Sequence, residues 1–269
     1  MLTFSEQIKS LRYLILFLLA ISFVILFANL YGKDVAMLTS DWLNVLVSSA
    51  TLVLAFVIAI KTGKPGSHGK AWVLFAMCIT LWFIGERIWM IDELVLKEKP
   101  WPSSADYFWL AGYLFFFAFS FYYLKPFKKS ISKKMVVFAS LAPLAVLGIT
   151  LSITATNDSN LSTYEKILDD LYPILDALSL VPVIFGLTSF FKGKVVLSWA
   201  LLFFGMLSFV ISDLGYLYLS SGTSDLYYTG HPIDIPYLWA YALFSLGIFY
   251  HLKTFSSKKK PYHDQENLR

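Results

Sequence analysis

Five carboxylates stand at the edges of long apolar runs: Glu86, Asp106, Asp176, Asp213 and Asp234. Ionisable groups at or inside the apolar part of a membrane span are costly, and they usually serve a ligand, an ion or a proton. Aromatic residues recur beside them at helical spacing. Trp89 lies three positions after Glu86, and Tyr216 three after Asp213. Trp109 and Tyr113 lie three and seven after Asp106, and Tyr237 and Tyr241 repeat this after Asp234. Such positions share one helix face. The structural alternative is the interfacial belt of Trp and Tyr that membrane proteins carry. An acidic pocket walled by aromatics would suit a cationic or polar organic ligand. The candidate ligand-binding set is Asp176, Glu86, Asp213, Asp106, Asp234, Trp89, Tyr113, Tyr216 and Tyr241.

The five acids differ in context. Asp106 and Asp234 follow Pro102-Ser103-Ser104 and His231-Pro232, which are helix-start sequences. There a carboxylate can accept orphan backbone N–H groups and complement the positive helix end, with no ligand needed. Glu86 and Asp213 fall in the last turns of their helices, where the dipole disfavours negative charge. Arg87 is adjacent to Glu86 but on a different helix face, so the structural alternative for this pair is an interhelical bond to the tyrosines. Asp176 is the deepest, flanked by Pro173 and Pro182. No acid stands at the corresponding place in the first half, and a purely structural Asp176 needs a Tyr or Arg partner.

These residues need helices to position them, and composition says which kind. The chain has 269 residues, 57% hydrophobic and 15% charged, with a mean hydropathy of +0.64; soluble domains carry about 25% charged residues. Runs long enough to span a bilayer lie near 11–30, 42–60, 71–91, 105–124, 135–153, 167–190, 196–219 and 233–252. The expected fold is an all-α integral membrane protein of eight transmembrane helices, leaving no separate soluble domain. The first run lacks a small-residue cleavage site and reads as a retained helix rather than a signal peptide. With eight spans both termini share a side. All but five of the 22 Lys and Arg fall on that side, the exceptions being Lys33, Arg87, Lys97, Lys99 and Lys166. Both termini are therefore expected in the cytoplasm, at the cell membrane. Lipid and topology explain the basic loops without a nucleic-acid partner.

Other chemistries lack their residues. Cys78 is the lone cysteine, so no intrachain disulfide or thiolate metal cluster is expected. The chain has no P-loop, G-x-S-x-G elbow or H-E-x-x-H, and no mid-helix lysine in the last span for a retinal Schiff base. No cofactor is expected. His231 lies near Asp234, but no metal site is expected, and His251 is expected at the cytoplasmic membrane edge.

Residues 105–127 align without gaps on 233–255. Asp106, Leu110, Tyr113, Phe116, Phe121, Tyr122, Leu124, Lys125 and Phe127 match Asp234, Leu238, Tyr241, Phe244, Phe249, Tyr250, Leu252, Lys253 and Phe255. In the preceding helices Trp72 meets Trp199 and Glu86 meets Asp213, with a one-residue change in the loop, where insertions are tolerated. The chain therefore reads as two parallel four-helix repeats, 1–127 and 128–255, with a basic, polar cytoplasmic tail at 256–269. Parallel repeats of this kind occur in transporters.

Two resemblances add to this. PSSADYFWLAGY at 102–113, YPILDALSL at 172–180 and SDLGYLYLSSG followed by HPIDIPYLWAYAL resemble a multi-helix membrane module often found ahead of diguanylate cyclase or phosphodiesterase domains. That resemblance implies a sensory role, and any signal would need a separate cytoplasmic partner. FIGERIWM at 83–90 and FVISDLGYLY at 209–218 are similar to segments of the eight-helix lysoplasmalogenase-like family. That resemblance implies hydrolysis of a lipid vinyl ether by Glu86 and Asp213, although Glu86 stands where that family has Asp. The expectation is a membrane protein with an outer-side acidic, aromatic pocket binding a small ligand or lipid headgroup in a sensory or accessory role. A lipid hydrolase is the alternative, and a small-molecule transporter the third.

Overall fold

The computed structural model describes residues 4–63, 66–98, 101–154, 162–189, 196–220 and 226–256. Among these the structure is all-helical, with eight helices long and apolar enough to cross a membrane. They are α1 (Phe4–Asn29), α2 (Lys33–Thr62), α3 (Ser67–Ile91), α4 (Ala105–Leu124), α5 (Lys133–Thr154), α6 (Thr163–Ser189), α7 (Val196–Ser220) and α8 (Ile235–Ser256). A π-helical turn, Asp92–Leu96, extends α3, and a 3-10 turn, Pro232–Asp234, leads into α8. The tail at 257–269 lies outside the described residues.

Helix α2 begins nine residues before its apolar run. Its extra turns carry Asp34, Thr39, Ser40 and Asp41, and α2 buries a polar stripe: Asp41, Asn44, Ser48 and Thr51, at spacings of three, four and three. Such spacing keeps all four on one face. Outward faces are apolar: Tyr13, Phe23, Leu46, Ile60 and Phe138 are exposed.

Six helices close a ring, α2–α3–α4–α6–α7–α8, each packed on the next and α8 on α2. Outside the ring, α1 lies against α2 and α8, and α5 against α6 and α7. The tightest pairs are α3 with α4 and α7 with α8. Glycine permits the first: a Cβ on Gly112 would come 2.2 Å from the Trp82 indole, and one on Gly85 would come 2.6 Å from Trp109. Each indole thus lies over the other helix's glycine, and Trp82 Nε1 donates to the Trp109 carbonyl at 3.2 Å.

The ring's interior is aromatic at one end. Trp72 and Trp199, which the sequence alignment pairs, are both fully buried and both contact Phe119, at 5.5 and 6.1 Å between ring centroids. His251 belongs to this cluster rather than to an interface. It is 1% exposed, with its ring 4.6 Å from Trp72 and its Nε2 3.2 Å from His68 Nε2. Its alignment with Tyr123 at a run's end suggests the cytoplasmic membrane edge; packing against Trp72 of α3 and Tyr123 of α4 buries it instead.

Candidate functional site

At the other end, where α3 passes to α4 and α7 to α8, the ring encloses a cavity of about 180 Å³. All nine residues of the expected set line it, brought in by α3, α4, α6, α7, α8 and the turn before α8. Asp41 and Asp169, Asn44 from α2, and Tyr172, Tyr227 and Tyr237 line it as well.

Glu86 is the most elaborately held. It is 7% exposed. Oε2 accepts the Asn44 amide at 2.9 Å, while Oε1 accepts Trp109 Nε1 and the Tyr241 hydroxyl, each at 3.2 Å, and the hydroxyl of Tyr237. Three helices therefore supply donors to one carboxylate, which offsets its desolvation. Arg87 enters this network by an indirect route: its guanidinium donates to Asn44 Oδ1, so one asparagine bridges the cation and the acid. The expectation that Arg87 points away holds for the helix face but misses this bridge.

Asp176 has the tyrosine partner that its burial requires: the Tyr113 hydroxyl donates to Oδ1. Its carboxyl is also in hydrogen-bond contact with that of Asp213. Carboxylates only accept, so such a pair needs one proton between its members. The structure thus puts Glu86 and Asp213 on the same cavity but joins Asp213 to Asp176; the four donors to Glu86 come from Asn44, Trp109, Tyr237 and Tyr241.

Asp106 and Asp234 do bind backbone N–H groups, but those of the approaching loop rather than of their own helices. Asp106 Oδ2 accepts from Ser103 N and Asp234 Oδ2 from Gly230 N, both at 2.8 Å. Ser103 Oγ answers by accepting from Ala105 N at 3.1 Å, a capping-box-like exchange. Each aspartate also takes a tyrosine hydroxyl: Tyr172 reaches Asp106 Oδ1 at 2.7 Å, and Tyr227 reaches both oxygens of Asp234 at 3.2 Å. Burial and the charge of Asp234 hold the Tyr227 hydroxyl well above its ordinary pKa, so it remains a donor. Capping and facing the cavity are therefore compatible roles.

The aromatic residues form a continuous wall. Trp89 lies 5.5 Å from Trp109 and 6.4 Å from Tyr216, and Tyr216 lies 4.5 Å from Tyr227, between ring centroids. Trp89 Nε1 donates to Thr229 Oγ1 at 3.3 Å. His231, beside Asp234 in sequence, uses Nδ1 to accept the Ile233 N–H at 3.2 Å.

Asp41, Asn44, Tyr172, Tyr227 and Asp169 are among the site residues that sequence reasoning missed. A hydropathy window starts the second span at 42 and so discards Asp41. The polar stripe from Asp41 to Thr51 was the signal that could have found two of them. Comparison with protein-family profiles, with curated proteins and with solved structures returns no match for the chain.

Proposed function

We propose that this chain is a multi-pass protein of the cell membrane, both termini cytoplasmic, that binds a small ligand or lipid headgroup from the outer side. Its role would be sensory or accessory, with a separate partner carrying any signal on the cytoplasmic side. The observation that carries this reading is convergence: polar side chains from α2, α3, α4, α6, α7 and α8 meet in one partly open cavity. Interior ionisable groups of that density are costly in a membrane protein and point to function. Size favours a small ligand or a headgroup over a whole lipid. A cavity of about 150 Å³ takes benzene, and this one is of similar volume.

Several features support the parallel-repeat reading. The ring order sets α2, α3 and α4 opposite α6, α7 and α8. Asp106 and Asp234 have the same two kinds of partner. The outward apolar side chains suit lipid contact. Ligand-dependent stabilisation tests the binding reading: a broad screen of small polar compounds should raise the unfolding temperature, and Asp176→Asn should weaken the effect. A screen that shifts nothing would sink it.

One observation keeps a hydrolase of the lysoplasmalogenase type as the second reading, namely that Glu86 and Asp213 face one cavity. Acid–base chemistry requires a group free to take and return a proton, and the four donors on Glu86 argue for a fixed carboxylate. Turnover of a vinyl-ether lysolipid, abolished by Glu86→Gln, would favour hydrolysis; no turnover by the unmutated protein would remove it.

A further inference from the structure

Seven carboxyl groups line the cavity and, among the described residues, no Lys, Arg or His does. Six of them have a use inside the protein, or stand at its edge. Glu86 has four donors, Asp106 and Asp234 each have a backbone N–H and a tyrosine, and Asp176 and Asp213 have each other. Asp169 is half-exposed. Asp41 is different. It is 5% exposed, and among the described residues no donor reaches its buried Oδ2. Arg87, a base whose charge acts on Asp41, donates to Asn44 instead.

We propose that the cavity takes a small organic monocation bearing an N–H, a primary or secondary ammonium on an aromatic or short alkyl body, and that Asp41 anchors it. The inference rests on the reading of the cavity as a ligand site. A buried acceptor without a donor is destabilising, and a charge-assisted N⁺–H···O bond removes that deficit. A quaternary ammonium supplies charge but no N–H, a neutral alcohol supplies a donor but no charge, and an anion meets seven carboxyls. Trp89, Trp109, Tyr216 and Tyr227 make one wall of the cavity aromatic, and aromatic rings attract a cation. The volume of about 180 Å³ fits one ring with a short arm.

The test is calorimetric titration of the full chain in lipid nanodiscs with 2-phenylethylamine, 2-phenylethanol, phenylacetate and trimethyl(2-phenylethyl)ammonium. The amine should bind at least about tenfold tighter than the alcohol or the quaternary analogue, and phenylacetate should not bind. Asp41→Asn should weaken the amine by about 10- to 100-fold, the range of a hydrogen bond to a charged group, and leave the alcohol unchanged. The four-ligand ranking on the unmutated protein stands even if that variant fails to fold. Alcohol or phenylacetate binding as tightly as the amine overturns the cation and leaves a ligand site. Equal binding of the quaternary analogue, or an unaltered Asp41→Asn, overturns the Asp41 anchor. If none of the four binds while a neutral compound from the wider screen does, the cation is again overturned. Silence in both overturns the cation and the ligand site together.

Discussion

The bridge from Arg87 through Asn44 to Glu86 yields a test that depends on hydrogen-bond direction alone. Glu86→Gln conserves shape, and its amide oxygen can remain where Trp109, Tyr237 and Tyr241 donate. Its new NH₂ then faces Asn44 Nδ2, donor against donor. Asn44 cannot turn over to help, because its Oδ1 already accepts from Arg87. The substitution therefore loses one bond, leaves two buried donors facing each other and weakens the remaining bonds from charge-assisted to neutral. Relief of carboxylate desolvation acts in the other direction. The net loss should be about 2 kcal/mol, or a fall of ~4–8 °C in Tm. A second change, Asn44→Asp, reverses the mismatch, since a carboxylate at that position accepts from both the introduced amide and Arg87. The double variant should recover about 1 kcal/mol or more relative to additivity. Thermal unfolding in detergent, followed by tryptophan fluorescence, measures all four proteins of the cycle. A double variant no more stable than the sum of the single effects would refute the bridge.

Other outcomes follow from neighbouring geometry. Gly112→Ala drives a Cβ into the Trp82 indole and should cost about 1–3 kcal/mol; an unchanged Tm would mean that α3 and α4 are not in this contact. Tyr113→Phe removes the hydroxyl donor of Asp176 and should cost about 1–3 kcal/mol, seen by the same unfolding assay. Asp213→Asn places an amide donor where the acid pair needs a proton, so stability should hold within about 0.5 kcal/mol; a loss above about 2 kcal/mol would disprove the Asp176–Asp213 contact. For topology, Cys78 is fully buried and should give little background to an impermeant thiol reagent. On intact cells that reagent should label Lys97→Cys but not Lys128→Cys, which should react only after permeabilisation. The reverse pattern would invert the orientation.

Much of the architecture was legible in one dimension because length and apolarity, the marks of a spanning helix, are properties of the sequence itself. Long apolar runs become helices, so eight runs give eight helices, and their ends fall within a few residues of expectation except at the starts of α1 and α2, which lie seven and nine residues earlier. Spacing along a helix is equally local, which is why Glu86 with Trp89 and Asp213 with Tyr216 could be placed on common faces. The alignment of 105–127 on 233–255 likewise needed only the sequence. Partner choice is not local. Nothing in FIGERIWM says that Glu86 will take donors from α2, α4 and α8, or that Asn44 will join it to Arg87. Asp213 meeting Asp176 rather than Glu86, and Asp41 ending without a donor to Oδ2, were decided by how six helices close into a ring. Hydrogen bonds act over about 3 Å, whereas residues a hundred positions apart reach that range only through tertiary packing. Sequence thus determined which side chains the long apolar helices carry and on which face; the closed ring alone decided which of them touch.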